Sequence, residues 1–408
     1  MTNFTTAFSI VEKLQNLGYI AYFTGGWVRD YLLNFPSDDI DIATNASIEV
    51  MHTLFTKTIP VGAQFGILIV VEEGHQFEIA TFRKESDYLD GRRPSHVEPC
   101  SPEEDAKRRD FTINGLFYDP IKKKIYDYVG GQEDLKHGLI RAIGNPIERF
   151  QEDRLRMLRA IRYSTRFGFR IDPATEKAIE MERNFLFPAV SMERIYQEFM
   201  KMDLYDTLVS SLKLLNKFKL LTLIFTELAH VEEDKILKHI ALIDELPQKT
   251  PLIAKLSLLF EEESLGDKLK ALKNLKISRK ELHLIEYLDS LEKTLRQEQL
   301  DDYDLAYLYA HEFFPLGISI FKHLKGYKKE AIHYEKHAMS LKPFVERIQS
   351  KNPVISSLDL KQEGIPSGKS MGEILKEAEK ISIRNKILDK SQVMKKLKVS
   401  LLWPFKSH

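Results

Sequence analysis

Two aspartates, Asp39 and Asp41, bracket a single isoleucine in the run Asp-Asp-Ile-Asp-Ile-Ala-Thr. On a strand, alternate side chains share a face, so both carboxylates point one way while Ile40 points toward the core. Like charges held that close repel, and hard oxygen donors of this kind suit Mg2+ lying between them. Upstream stands Gly25-Gly26, where backbone can approach a ligand closely, followed by Arg29 one turn into a short apolar-periodic helix. That combination suits the triphosphate which accompanies such an ion. Further along, Arg109 and Asp110 set a donor beside an acceptor, a pair able to grip a ribose through its 2′-hydroxyl. A third pair, Asp153 and Arg156, falls three residues apart in the helical stretch Phe150 to Phe167 and so lies on one helix face. Cytosine and adenine each present an amino donor next to a ring-nitrogen acceptor, whereas uracil and guanine present the reverse. One carboxylate beside one guanidinium can therefore accept C and A and refuse U and G.

These groups need a scaffold, and the chain around them alternates strand and helix. Phe4 to Leu17 repeats apolar residues at helical spacing and stops at Gly18; Tyr19 to Phe23 is a short buried strand; Trp27 to Leu33 is a helix. After the paired aspartates come a helix over Ala46 to Phe55, a short strand over Ile59 to Val61 and a continuous β-branched strand over Gly66 to Val71. Phe77 to Arg83 alternates, which groups Glu78 with Ala80 and Phe82 on one face. The polar stretch Glu85 to Val97, with Gly91, Pro94 and Arg92-Arg93, is expected to be a mobile, functional loop. Ser101-Pro102-Glu103-Glu104 spells a capping box at a helix start. Leu116 to Tyr118 and Lys124 to Tyr128 form a hairpin, Leu139 to Ile143 adds a strand, and Gly144-Asn145-Pro146 closes this part. Beyond it the pattern is helical.

Bulk properties set limits. A chain of 408 residues, 43% hydrophobic and 29% charged, has room for two or three cores. Its 60 basic and 60 acidic side chains cancel, so a nucleic-acid partner must be met by a local basic face. The single cysteine, Cys100, cannot close an internal disulfide, which suits a reducing compartment. With Glu12 and Lys13 in an amphipathic N-terminal pattern, and no apolar run near the ~20 residues a span needs, a cytoplasmic protein without a membrane is expected.

Gly25-Gly26-Trp27-Val28-Arg29-Asp30 followed by Asp39-Ile40-Asp41-Ile42-Ala43-Thr44 resembles the signature of the class II tRNA nucleotidyltransferases and bacterial poly(A) polymerases. Arg108-Arg109-Asp110-Phe111-Thr112-Ile113-Asn114 is similar to that family's second motif, with Gly115 where the family usually has Ala. Glu152, Asp153 and Arg156 resemble its Glu-Asp-x-x-Arg motif. Gly130-Gly131-Gln132-Glu133-Asp134-Leu135 and the Val190 to Ile195 segment resemble supporting elements, the latter a brace for the nucleotide-reading helix. The resemblance is dense over Gly25 to Glu198. It implies an α+β fold: a polymerase-β-like nucleotidyltransferase head of mixed sheet and helices, then an all-α neck, body and tail. It also implies Mg2+ on Asp39 and Asp41, with Glu78 as a further catalytic carboxylate. Nucleotide contacts are implied at Gly25, Gly26, Arg29, Arg109, Asp110, Asn114, Asp153, Arg156, Arg159 and Arg162. Steps of three drift backwards by ~60° each around a helix, which turns Arg162 away from Asp153.

The implied activity is template-independent addition of CCA, or its terminal A, to the 3′ end of tRNA from CTP and ATP. The Glu85 to Val97 loop corresponds to the family element associated with switching to the final adenosine. The expected divisions are a head over 1–144, a base-recognising neck over 145–202, a helical body over 203–340 and a basic tail over 341–408. In that tail Lys386, Lys390, Lys395, Lys396 and Lys398 could follow a phosphate backbone. His239 lacks the downstream His-Asp pair of relatives that carry a phosphohydrolase module, so the body is read without hydrolase chemistry. No obligate protein partner is evident. The alternatives are a poly(A) polymerase, which shares the head, and a catalytically inactive RNA-binding protein.

Overall fold

The aromatic run ahead of the glycine pair does form a strand, and the sheet grows outward from it. In the computed structural model, which describes residues 2–35, 37–60, 66–88, 94–296 and 300–404, the chain divides into two compact units, Met1–Glu233 and Asp234–His408. The first is α+β. It begins with α1 (Asn3–Asn16), capped by the Thr2 hydroxyl, and runs through β1 (Ala21–Thr24), α2 (Gly26–Leu32), β2 (Asp41–Thr44) and α3 (Ile48–Leu54). Strands β3 (Thr58–Ile59), β4 (Ile67–Glu72) and β5 (His75–Thr81) follow, with Val61 of the expected third strand outside the described residues.

Next come β6 (Arg83–Tyr88), β7 (Pro94–Pro99), α4 (Pro102–Lys107), β8 (Leu116–Asp119), β9 (Lys124–Asp127) and α5 (Gly131–His137). Ser101 and Glu104 close the capping box read from the sequence. The main sheet has the order β3-β4-β5-β2-β1-β8-β9. β2 is antiparallel to β1 and parallel to β5, with Ile42 opposite Ile79 and Thr24 opposite Asp41. Phe23, Ile42, Leu68, Val70, Phe77 and Ile79 are essentially fully buried, so β2 is held on both sides by apolar packing.

The expected loop at 85–97 is instead a two-stranded ribbon: β6 pairs antiparallel with β7, Arg83 opposite Pro99 and Glu85 opposite Val97. Its sequence hides this because a ribbon outside the main sheet has no apolar alternation to display. Gly91, Arg92 and Arg93 lie outside the described residues. The strand expected over Leu139 to Ile143 is shorter: β10 (Leu139–Ile140) pairs in parallel with β11 (Arg170–Ile171), and Ala142 bridges Phe111.

The helix expected over Phe150 to Phe167 is two helices. α6 (Pro146–Glu152) ends at Asp153, whose φ of −148° and ψ of 104° are extended, and α7 (Arg156–Phe167) begins after it. The Asp153 carboxylate accepts the Leu155 backbone N–H at 3.0 Å, the local bond by which an aspartate competes with helix continuation. α7 then buries Met157, Leu158, Ala160 and Ile161 on one side. α8 (Pro173–Glu182), capped by Asp172, and α9 (Met192–Leu204) complete its surroundings.

The second unit is helical. Leu265–Asn274 and Arg279–Arg296 are single helices, followed by Asp302–Ala310 and Phe314–His323. His239 is a core residue, its ring nitrogen on the Leu259 carbonyl at 3.1 Å. Lys369–Arg384 and Lys390–Lys398 pack through Ile374, Ala378, Val393 and Leu397, with Trp403 buried against the same cluster. Phe405 lies outside the described residues.

Candidate active site

A cleft of about 820 Å³ opens in the first unit between the edge of the sheet carrying Asp41 and the helices α7 and α9. Its lining includes Gly25, Gly26, Arg29, Asp39, Asp41, Glu78, Arg109, Asp110, Asn114, Asp153, Arg156, Arg159 and Arg162, so the residues expected to bind metal or nucleotide reach one cavity.

On the sheet wall, Asp41 opens β2, and Asp39 lies just before the strand in exposed backbone. Parallel register sets Asp41 beside Glu78 of β5, one step before Ile42 and Ile79. Burial first, then the charges of Glu78 and Asp39, push the Asp41 carboxyl up to about 7, against the opposing pull of Arg109. Among the described residues no three acid, imidazole or thiol side chains are already gathered into a coordinating cluster. The donor chemistry nonetheless fits a divalent cation: hard carboxylate oxygens, mutually repelling, one of them costly to ionise without a counter-charge. Gly25 takes φ +69°, and a Cβ there would stand 3.5 Å from Arg109 Nη1 and 3.8 Å from Asp41 Oδ2. The glycine keeps the floor between guanidinium and carboxylate clear.

On the opposite wall the arginines are fixed by acids. Arg156 Nη1 donates to Glu152 at 2.6 Å and to the Arg149 carbonyl at 2.9 Å. Arg159 bonds Asp110 at 2.6 Å, Arg162 bonds the buried Glu198 at 2.6 Å, and Arg166 bonds Asp30 at 3.0 Å. Asp110 is buried, and although burial alone would raise its pKa, Arg159, Asn114 and Arg156 hold its carboxyl far below the usual range. It also accepts the Phe111 N–H, so its oxygens are already engaged within the protein. Arg29 is 2% exposed, its guanidinium lying against the stacked rings of Tyr163 and Phe167 at 5.0 and 4.7 Å and bonded to Asp30 and Asn114. Arg109 rests over Phe117 and bonds Asp105 at 2.9 Å.

Asp153 and Arg156 both line the cleft, but not as neighbours on one helix. Asp153 is held by Arg194 of α9 at 2.7 Å, while Arg156 belongs to α7. Arg162 faces the same cleft, because the helix that carries it starts at Arg156 and its drift from Asp153 has no bearing. Tyr163, Arg166, Lys201 and Tyr205, which the sequence did not single out, also line the cavity, as does Arg194 of the segment expected to brace the nucleotide-reading helix. The signal for Arg166 was available: positions 156, 159, 162 and 166 form a single arginine stripe at helical spacing.

A mixed sheet bearing paired aspartates at the mouth of an arginine-walled cleft has the architecture expected of a nucleotidyltransferase head. Residues 21–141 match the profile described as the poly A polymerase head domain, and 168–231 match the one described as the probable RNA and SrmB-binding site of polymerase A. Over these two segments the chain is similar to the head and RNA-binding region of poly A polymerases, the family its motifs resemble. It is 45% identical to the CCA-adding enzyme of Staphylococcus saprophyticus over 53% of this chain and 55% of that protein. To the CCA-adding enzyme of Bacillus cytotoxicus it is 44% identical over 58% of this chain and 59% of the relative. The aligned region thus spans little more than half the length of these curated relatives. The crystal structure of the Bacillus stearothermophilus CCA-adding enzyme in complex with CTP superposes with a TM-score of 0.76 at 26% identity, covering 97% of this chain and 98% of that one. No helix among the described residues is long and apolar enough to cross a membrane.

Proposed function

We propose that this chain is a template-independent nucleotidyltransferase that adds CCA, or its terminal A, to the 3′ end of tRNA from CTP and ATP. The observation that carries the reading is the meeting of two opposed walls in one cavity: Asp39, Asp41 and Glu78 on the sheet, and the arginines of α7 with Asp153 across from them. The CCA-adding enzymes among its relatives, one of them solved with CTP, support the same choice of substrate.

Asp39 and Asp41 would hold Mg2+, which when bound activates the RNA 3′-hydroxyl for in-line attack on the α-phosphate and steadies the departing pyrophosphate. Gly25 and Gly26 leave the floor open to the triphosphate, and Arg29, held against the Tyr163 and Phe167 rings, sets its depth. Arg109 with Asn114 faces the ribose. Asp110 fixes the direction of Arg159 through its buried ion pair. Asp153 accepts an amino group of C or A while Arg156 donates to the neighbouring ring nitrogen, and neither contact can be made with U or G. Glu78 beside Asp41 serves as the third carboxylate.

In this scheme the head is 1–144, the neck 145–202, the body 203–340, and the tail 341–408 with its lysines meets tRNA. The protein acts in the cytoplasm. The test is to offer tRNA ending at the discriminator base, or at CC, with CTP and ATP, and to sequence the products. CCA or A on the tRNA is expected; long adenosine tracts would assign it to poly(A) synthesis instead, and no incorporation with Mg2+ would overturn the enzymatic reading.

A further inference from the structure

One side chain on the sheet wall has no task in the scheme above. Thr24, the last residue of β1, stands opposite Asp41 across one neighbour and opposite Phe117 across the other. Residues facing each other across an antiparallel pair project from the same side of the sheet. Phe117, Thr24, Asp41 and Glu78 therefore form a row across β8, β1, β2 and β5, and Thr24 lines the cleft with both acids. Thr24 is 4% exposed, and its Oγ1 is buried without a hydrogen-bond partner among the described residues.

The other buried threonines of this unit are all served. Thr6 donates to the Thr2 carbonyl, Thr44 to the Ile20 carbonyl, and Thr112 to Asp134, while Thr175 accepts the Ala142 N–H. A hydroxyl buried unpaired is unfavourable, and valine would fill the same space without that penalty. The location says what kind of group completes it. Next to it, at Gly25, the floor of the cleft runs between Arg109 Nη1 and Asp41 Oδ2. A group resting on a guanidinium on one side, and reached through a carboxylate-held cation on the other, is one that presents oxygens.

We propose that Thr24 Oγ1 is a ligand-binding hydroxyl whose acceptor arrives with the substrate: an oxygen of a cation-bound nucleoside triphosphate, on the phosphate chain or on a water carried by the cation. The inference rests on the nucleotidyltransferase reading and adds a binding residue to it.

The test uses the full chain as wild type, Thr24→Val and Thr24→Ser. Each is melted without ligand and titrated calorimetrically with CTP plus Mg2+, and separately with Mn2+ alone. Thr24→Val is expected to melt at or above the wild-type temperature, having lost an unsatisfied group, yet to bind CTP with Mg2+ about tenfold more weakly. Thr24→Ser is expected to keep wild-type affinity. A loss shared by Mn2+ alone places the acceptor on a cation-held water, and a loss confined to CTP places it on the phosphate chain; both support the assignment. Unchanged CTP affinity in Thr24→Val overturns it, as does an equal loss in Thr24→Ser. Failure of the wild type to bind CTP or ATP with Mg2+ overturns the nucleotidyltransferase reading itself, an outcome separable from the first two because it does not involve the variants.

Discussion

On the sheet wall of the cleft, Asp39, Asp41 and Glu78 repel one another with no ion pair to a basic side chain among the described residues. On the helix wall each arginine of α7 ends on an acid: Arg156 on Glu152, Arg159 on Asp110, Arg162 on Glu198 and Arg166 on Asp30. The contrast separates two uses of charge. The acids are incomplete by themselves and gain from a bound cation. The guanidiniums are already oriented, so little reorganisation is needed when a nucleotide reaches them. Net neutrality of the chain conceals both, because the excess of each sign is local.

The largest effect should come from dismantling the incomplete wall. Asp39→Ala or Asp41→Ala is expected to lower nucleotide incorporation by on the order of a thousandfold, as loss of groups that stabilise transition-state charge does. The melting temperature should not fall, because removing either acid relieves repulsion; wild-type activity in either variant would show that no cation is held there. Breaking the preorganised wall should instead cost stability. Arg162→Ala leaves Glu198, 2% exposed, with only the longer contact to Lys201 at 3.7 Å, and a loss of about 3 kcal/mol is expected by denaturant titration. If stability is unchanged, the pair is not the rigid support described here.

Smaller effects concern selectivity. Asp153→Asn or Arg156→Ala should narrow the preference for CTP and ATP over UTP and GTP by about tenfold, read as the ratio of kcat/KM values. Selectivity equal to wild type would remove the base-reading role. The gentlest test is pH. The Asp41 carboxyl is raised in the folded chain to about 7 from an ordinary 3.8, so the native state binds the extra proton between those values. Its contribution to stability is full below about 4 and is lost as pH rises toward 7. Melting without Mg2+ should therefore lose stability across that window, and Asp41→Asn should flatten the loss.

Much of this was legible beforehand, for reasons that differ by element. β1 and α2 followed from an apolar run bounded by glycine, and the capping box at Ser101 from its local chemistry. Of the cleft residues, the pairs Asp39/Asp41, Arg109/Asp110 and Asp153/Arg156 could be picked out by their spacing, whereas Glu78, Asn114, Arg159 and Arg162 were reached only through the family resemblance. What escaped depended on long-range contacts. The resemblance marked Val190 to Ile195 as a brace, but nothing local announces that its Arg194, forty-one positions on, holds Asp153 itself, or that the helix stops there to let it. The ribbon of β6 and β7 escaped because polar strands outside a core leave no periodic trace. Tyr163 looked like core aromatic filling, and is, but it also carries Arg29, Arg159 and Arg162 on its ring.

The register of β2 has a further consequence for how this chain can change. β2 is pinned on both edges, by β1 and by β5, so it cannot slide alone. A one-residue deletion inside it would exchange the two sides of the strand, drive an ionised carboxylate into the layer now filled by Ile42 and Ile79, and present isoleucine to the substrate. Length variation in descendants of this sequence is therefore confined to the connections, and the acidic strand is inherited at fixed length or lost along with its chemistry.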